Sequence, residues 1–204
     1  MKKLVPILVF LFTSNSFLFS QEENKGTDFH TTLKIQTGKI LIRGESNINK
    51  WQSNVEDINA KFTVNSLQKP SNFQILQENS TFRETLIIKI KVTDIKSGKK
   101  LMDKKTYKAL KSIECPYIIF TYAPNSKIHL SSQIISGNLT VAGVTKKITT
   151  QITFNKERST LTLKGIHSID MTEFGVNPPQ FLMGILKTKK KIDIDFTLAF
   201  KPNL

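Results

Sequence analysis

The chain of 204 residues is 39% hydrophobic and 23% charged, which is typical of a globular protein and excludes a disordered chain. Thirty lysine and arginine residues against 16 acidic residues give a formal net charge of +14, so an electrostatic partner is expected to be anionic. The single cysteine, Cys115, excludes an internal disulfide, and the apolar core must therefore stabilise the fold. Because Cys115 precedes Pro116 beside an apolar strand, its thiol is expected to be buried and unreactive.

Residues 1–20 have the pattern of a secretory signal peptide. Lys2 and Lys3 precede an apolar run over residues 4–12 that is too short to span a membrane as a helix. Cleavage near Ser20 is expected to release an exported protein, located in the periplasm or outside the cell. Residues 21–28 are polar and are expected to form a flexible arm, which leaves residues 29–204 as one folded domain.

Most of the remaining chain alternates apolar and polar residues, the pattern of half-buried β-strands. Strands are predicted at 33–43, 58–64, 86–92, 117–122, 128–141, 148–154, 161–169 and 192–200. The alternation slips near Thr37 and Gly38, which indicates a turn or a bulge. About eight strands joined largely by short turns favour an antiparallel meander that closes into a barrel, of a size that holds one small ligand.

One segment, residues 99–113, has the period of a helix instead. The apolar stripe of this segment is formed by Met102, Ala109, Leu110 and Ile113. Lysines occupy the opposite side, so the segment predicts an amphipathic helix that packs on or plugs the barrel. Pro116 disfavours helical geometry at Cys115, and the helix is expected to end before that residue.

Catalytic and metal-binding motifs are absent from the sequence. His30, His129 and His167 are far apart without metal-ligand spacing, and no nucleophile elbow, P-loop or dinucleotide fingerprint is present. Asp193 and Asp195 alternate with apolar residues, which places them on the solvated face of a strand. The aromatic residues alternate with the lysines or lie opposite them, whereas nucleic-acid binding needs both on one face. We therefore expect no metal site, no enzyme activity and no nucleic-acid partner.

Five segments together resemble the YceI-like family. The segments are residues 44–51 (GESNINKW), 101–120 (LMDKKTYKALKSIECPYIIF), 136–152 (SGNLTVAGVTKKITTQI), 168–176 (SIDMTEFGV) and 178–188 (PPQFLMGILKT). With the closing strand, the resemblance covers about residues 29–200. The first and last segments resemble a branch typical of exported bacterial proteins. One departure is Asn49, because relatives often have a histidine two places before the tryptophan that is Trp51 here.

The resemblance implies an all-β fold, a lipocalin-like extended antiparallel β-barrel of about eight strands with one inserted amphipathic helix. It also implies that the barrel holds a long apolar lipid such as a polyisoprenoid or an isoprenoid quinone, without catalysis and with no cofactor besides that lipid. The cavity is expected to be lined by Phe62, Ile88, Ile90, Phe120, Tyr122, Leu139, Phe174, Phe181, Leu182 and Met183. Of these, the apolar tip 181–183 is expected to fold over the barrel mouth.

The sequence leaves several points open. Tyr122, His167 or a lysine are candidate donors to a lipid head group, and the sequence does not choose among them. Surface lysines are expected to allow transient contact with an anionic membrane surface. The oligomeric state is not fixed, and a dimer remains an option. The alternative function is a structural or surface-interaction barrel whose core is filled by its own side chains and which binds no ligand.

Overall fold

The computed structural model of the protein describes residues 29–66, 82–123, 132–181 and 185–202. The predicted signal peptide, the predicted flexible arm, His129, Leu182 and Met183 lie outside these residues. The described strands are β1 (Phe29–Ser46), β2 (Lys50–Val55), β3 (Asn59–Ser66), β4 (Phe82–Lys91), β5 (Ile95–Lys96), β6 (Tyr117–Tyr122), β7 (Ser132–Val141), β8 (Val144–Glu157), β9 (Thr160–Asp170), β10 (Gln180–Phe181) and β11 (Leu186–Pro202). The α-helix α1 spans Lys100–Ala109, and short 3-10 turns span Val92–Asp94 and Met171–Phe174.

Eight of the described strands form a closed antiparallel barrel. They pair in the order β1, β3, β4, β6, β7, β8, β9 and β11, and β11 pairs back with β1. Because the barrel is closed, each of these eight strands pairs with a neighbour on both sides. This removes the unpaired edges that an open meander would expose. The prediction of an eight-stranded barrel with one inserted helix is confirmed. The short β5 extends the sheet from β2, which pairs with the second half of β1, and β10 pairs with β11.

The predicted slip in the first strand is a β-bulge. The pairing of β1 with β11 shifts between Ile35 and Thr37, and β1 continues through it as one strand. The bulge adds one residue to β1, so inward-facing side chains change from odd-numbered to even-numbered positions after it. Leu33 and Ile40, at odd and even positions, are consequently both buried, at 1% and 5% exposure.

The helix is shorter than predicted, and one residue of its apolar stripe was assigned wrongly. Ile113 is 90% exposed, while Met102, Ala109 and Leu110 are half-buried. After Leu110 the chain turns at Lys111, whose φ is +53°. The N–H groups of Ser112 and Lys111 donate to the carbonyls of Tyr107 and Lys108 at 2.9 and 3.2 Å. This pair of bonds is a Schellman motif, which ends the helix before Ile113 reaches the barrel.

The sequence predicted a buried thiol at Cys115, whereas the structure shows this residue half-buried. The residue follows the turn after α1, and β6 begins only at Tyr117. The Cys115 Sγ lies 3.1 Å from the place that a Cβ on Gly143 would take, so the side chain lies against the hairpin between β7 and β8. The hairpin itself turns at Ala142 and Gly143, whose φ values are +50° and +83°, as a two-residue turn of primed type requires.

One end of the barrel is packed solid by aromatic and aliphatic side chains. The ring of Phe62 lies 5.9 Å from that of Phe200 and 6.4 Å from that of Phe154, measured between centroids. Leu161 and Leu198 are fully buried beside them. At the opposite end, the segment after β9 packs Phe174 and Val176 against Leu139 and Val141 of β7.

Candidate functional site: two adjacent apolar cavities

The barrel contains two neighbouring cavities above its packed end. The outer cavity, at the end that carries α1, has a volume of about 600 Å³. The inner cavity, deeper in the barrel, has a volume of about 110 Å³. Ile118, Leu139 and Ile194 line both cavities, and we call these three side chains the neck. The size of the outer cavity lies within the range of roughly 300–1,000 Å³ that is usual for ligand sites.

The wall of the outer cavity comes from the irregular end of the barrel. The wall includes Met102, Thr106 and Ala109 of α1 and Phe174 and Val176 of the segment after β9. The half-buried face of α1 therefore covers the barrel end instead of packing into a closed core. An apolar wall with a polar edge is the usual arrangement for a site that takes a large apolar molecule.

The outer cavity opens to solvent where its lining residues are exposed. Asn49, Lys50, Lys99 and Leu101 all line the cavity and are exposed, so they form its rim. The turn between β1 and β2 is organised by Ser46, which is 6% exposed. The Ser46 hydroxyl lies 2.9 Å from both the main-chain carbonyl and the Oδ1 of Asn49, and it accepts from the Asn49 N–H at 3.0 Å. Asn49 thus shapes the rim of the outer cavity through its contacts with Ser46.

The one tryptophan lines the outer cavity. The indole of Trp51 on β2 lies across Gly44 on β1, where an added Cβ would be only 2.2 Å from the ring. Gly44 is therefore needed for the ring to lie flat on the strand. The indole N–H is buried and has no hydrogen-bond partner among the described residues. Because Trp51 lines the outer cavity, its fluorescence is a natural optical reporter of what the cavity contains.

The inner cavity is almost entirely apolar. Its aliphatic and aromatic lining includes Ile88 and Ile90 of β4, Phe120 of β6, and Leu163 and Leu198 near the packed end. Among the described residues that line it, the only side chains with nitrogen or oxygen are those of Thr150 and His167. The inner cavity is therefore a small apolar space next to the outer cavity.

The sequence model of the family described as "YceI-like domain" matches residues 30–200. The chain belongs to the YceI-like family. Among solved structures, it is similar to the protein BcnA of Burkholderia cenocepacia, with 15% identity, a TM-score of 0.59, and coverage of 79% of this chain and 95% of that one. It is also similar to a polyisoprenoid binding domain from Saccharophagus degradans implicated in plant cell wall breakdown, with 10% identity, a TM-score of 0.62, and coverage of 85% and 98%.

A third similar structure is the Campylobacter jejuni YCEI protein, with 16% identity, a TM-score of 0.54, and coverage of 74% of this chain and 84% of that one. At such identities the likeness establishes the fold, and it agrees with the family assignment. No curated protein sequence matches the chain.

Most of the described residues that the sequence places in the cavity do line this YceI-like barrel. Ile88, Ile90 and Phe120 line the inner cavity, Phe174 lines the outer cavity, and Leu139 lines both. Phe62 and Tyr122, exposed by 1% and 6%, belong to the packed core and line neither of the two cavities.

The apolar tip predicted to close the mouth is described only at its first residue. Phe181 ends β10 and pairs with Leu186 of β11; its side chain, Leu182 and Met183 lie outside the described part. Pro179 and Leu186, on either side of the tip, line the outer cavity. The residues that flank the tip therefore line the outer cavity, and contact of the tip itself with a ligand remains a prediction.

Sequence reasoning missed Trp51, Ile118, Thr150 and Ile194. Thr150 and Ile194 lie in alternating runs beside residues that were assigned to the interior, so their strand positions were a usable signal. Trp51 follows a stretch rich in turn-forming residues that carries no apolar period. Only the pairing of β2 with β1 brings that residue to the cavity.

Burial changes the ionisation of two groups near the cavities. Burial, and secondarily the negative charge of Glu84, raises the pKa of Tyr122 to about 12. Burial lowers the pKa of His167, so its imidazole is neutral at pH 7. In the described part of the chain, no group of three or more histidine, cysteine or acidic side chains is placed to hold a metal ion. No helix in that part is long and apolar enough to cross a membrane.

Proposed function

We propose that this YceI-like protein binds a long-chain lipid, with the apolar chain running from the outer cavity through the neck into the inner cavity. The observation that carries the proposal is the outer cavity itself, which is about 600 Å³ in volume, largely apolar and open at a polar rim. Unfilled apolar space of this size forfeits packing contacts, so an occupant is expected. The chain would enter first and the head group would remain near the rim or follow it inward.

The energy of such binding comes from burying the chain. Each methylene removed from water contributes about 0.8 kcal/mol, or roughly 25 cal/mol for each Å² of apolar surface. A chain that fills both cavities therefore gains several kcal/mol before the cost of ordering it is subtracted. No bond needs to be made or broken, and we propose binding without catalysis.

The class of lipid that we propose is a polyisoprenoid, an isoprenoid quinone or a similar amphiphile. Support comes from the family assignment and from the shared fold of the polyisoprenoid binding domain of Saccharophagus degradans. The narrow inner cavity suits a single unbranched or methyl-branched chain better than a bulky ring system. The pattern of residues 1–20 supports the further proposal that the protein acts after export.

The rim supports a proposed contact with an anionic lipid bilayer, from which such a ligand would be taken or to which it would be given. Leu101 lines the outer cavity and is 64% exposed, and Ile48 and Ile185 are 65% and 70% exposed. The loops that carry the two isoleucines are joined, because the side-chain amide of Asn47 donates to the Ile185 carbonyl at 2.8 Å. Three exposed apolar side chains near one cavity mouth match the apolar layer beneath lipid head groups.

The charge of the rim has the sign that an anionic bilayer requires. Lys50 and Lys99 line the mouth, and Lys100 begins α1 beside them; all three are exposed. Each lysine near an anionic surface adds about 1 kcal/mol of attraction. Charge and apolar exposure therefore coincide at the end of the barrel through which a lipid chain would pass.

The competing function is a barrel that fills its own core. The packed end around Phe62 favours it, whereas the outer cavity does not. Native mass spectrometry of the purified protein before and after organic extraction separates the two. We expect adducts of lipid mass that extraction removes and that added lipid restores. A protein of bare mass that takes up no lipid on addition would favour the filled barrel.

A further inference from the structure

The helix α1 covers the mouth of the barrel without being buried in it. All ten of its residues are described, and none of them is buried. Its inward face, formed by Met102, Thr106 and Ala109, lines the outer cavity. A segment with so little burial opens at a lower free energy than the strands around it. A helix of this length also has little stability of its own in water, so the position of α1 depends on the contacts along its two sides.

One side of α1 is fixed to the segment around β5. The hydroxyl of Tyr107 lies 2.9 Å from the Thr93 carbonyl and 3.1 Å from the Ile95 carbonyl. One turn earlier, the carboxylate of Asp103 accepts from the N–H and the hydroxyl of Ser97 at 2.8 and 2.6 Å. Residues four apart lie on the same side of a helix, so these contacts form one edge, which we call the hinge side.

The opposite side of α1 is tied to β10. The Nζ of Lys105 donates to the main-chain carbonyl of Gln180, the first residue of β10. At about 100° of rotation for each residue, Lys105 lies about 200° around the helix axis from both Asp103 and Tyr107. The face that lines the cavity lies between these two edges. The helix is therefore held on both flanks of the mouth.

The two sides are not equally strong. The contact of Lys105 with Gln180 is exposed to solvent, whereas the hydrogen bonds of Tyr107 and Asp103 are partly buried. Holding a long lysine side chain in one geometry costs entropy, and exposed contacts of this kind contribute little to stability. The Lys105 contact therefore breaks more readily than the hinge side does.

The walls beside the Lys105 contact are apolar. Pro179 directly precedes Gln180, and Leu186 pairs with Phe181, the residue that follows Gln180. Both Pro179 and Leu186 line the outer cavity. An opening between α1 and β10 would therefore lead past apolar side chains into the cavity.

We propose that α1 is a lid hinged along Asp103 and Tyr107, and that Lys105 is the latch that holds this lid over a bound lipid chain. The inference rests on the proposed lipid-binding function and adds how the ligand is retained and exchanged. Because the cavity is open at its rim, the latched lid does not seal it but narrows the path of the chain. Breaking the latch widens the mouth on the side of β10 for entry and for release.

The first test removes the latch with Lys105→Met, which keeps much of the side-chain length without the charge. Phytol is mixed with extracted protein, and the fluorescence of Trp51 follows its entry. Release is followed into an excess of phosphatidylcholine vesicles. We expect entry and release each to become roughly three- to tenfold faster, as the loss of one hydrogen bond from a charged donor allows. The affinity should change little, because a lid acts on both directions.

Lys104→Met is the matched control, because Lys104 is an exposed neighbour on the same helix and the change in charge is identical. It should leave both rates unchanged. Lys105→Met should melt close to the wild type, since an exposed contact adds little to global stability. Rates equal to those of the wild type would overturn the latch while lipid binding stands. Faster release with unchanged entry would show that Lys105 contacts the ligand directly, and would also overturn it. A failure of phytol to bind the wild type would overturn the proposed function, and the latch with it.

The second test closes the lid instead of opening it. In a Cys115→Ser background, Lys105→Cys and Gln180→Cys are joined by a short bifunctional methanethiosulfonate reagent that a reductant cleaves. Gln180 is exposed and Lys105 is half-buried, so both new thiols are within reach of the reagent. We expect entry and release of phytol to slow severalfold in the cross-linked protein and to recover on reduction. Unchanged rates after cross-linking would show that the chain does not use this opening, and would refute the lid.

Discussion

The neck gives the most direct test of whether a chain reaches the inner cavity. Leu139 is 6% exposed and lines both cavities, so a larger side chain there has only the neck to occupy. We predict that Leu139→Phe closes the passage and leaves the outer cavity largely intact. Overfilling a packed position costs about 1–3 kcal/mol of stability, which an eight-stranded barrel is expected to tolerate.

The size of the effect follows from the volume that is lost. The inner cavity of about 110 Å³ holds about three to four chain carbons, if each takes roughly the 30 Å³ of a liquid water. At about 0.8 kcal/mol for each buried methylene, closing it removes about 2–3 kcal/mol of binding energy. The affinity for a long prenol should therefore fall roughly 30- to 150-fold. Octanol fits in the outer cavity alone, and its affinity should hardly change.

Trp51 fluorescence measures both ligands in one experiment, since the only tryptophan lines the outer cavity. Leu139→Ile keeps the volume of the side chain and serves as the control. An unchanged affinity of Leu139→Phe for the long prenol would show that the chain does not pass the neck. A parallel loss for octanol would show instead that the substitution disturbs the outer cavity or the fold.

Three further predictions concern stability and the rim. Phe62→Ala should lower the free energy of unfolding, measured in urea, by about 3–5 kcal/mol, because a ring that is only 1% exposed is lost from the packed end. A loss below about 1 kcal/mol would mean that this end of the barrel is not packed. Ile48→Asp and Leu101→Asp should weaken co-sedimentation of the protein with anionic vesicles. The control is Ile134→Asp, at a 73%-exposed position on β7, which should not weaken it. Equal effects of all three substitutions would show that the rim does not make the contact with the bilayer. Hydrogen bonds from Thr172, then from Lys190, lower the pKa of Asp170 to about 2, so its contribution to stability is complete above about pH 5 and is lost progressively as the pH falls to about 2. Asp170→Asn should flatten the acid side of the stability profile in that window, and identical profiles would refute the assignment.

The sequence was sufficient to predict the faces of the strands. Alternation assigns a side chain to the inside or the outside whatever the neighbouring strands are, because the period of the backbone is fixed. The same rule located the bulge near Thr37 from a slip in parity alone. Closure followed from the number of strands and the short connections between many of them.

Depth along the barrel was not predictable in the same way. Phe62 and Ile88 both point inward, and the sequence placed both at the cavity. In the barrel, Phe62 packs against Phe154 and Phe200, whereas Ile88, two residues beyond the partner of Phe62 on β4, lines the inner cavity. That difference depends on register, which is fixed only when neighbouring strands pair. The end of α1 was missed for a related reason, since a helical period does not reveal a Schellman turn at Lys111.

The most informative residue of the site breaks the local pattern. Along β8 the inward positions are Ile148, Thr150, Ile152 and Phe154, and the sequence reading passed over the threonine because only the apolar residues were counted. A hydroxyl on an apolar face costs stability unless something pairs with it. Departures from local consistency of this kind tend to be retained at functional sites. The departure at Thr150 occurs in the wall of the inner cavity, two residues before Ile152, where the pairing of β8 with β9 ends. A valine at that position would remove the unpartnered hydroxyl, so the alternation of β8 and the packing around it do not by themselves account for the threonine.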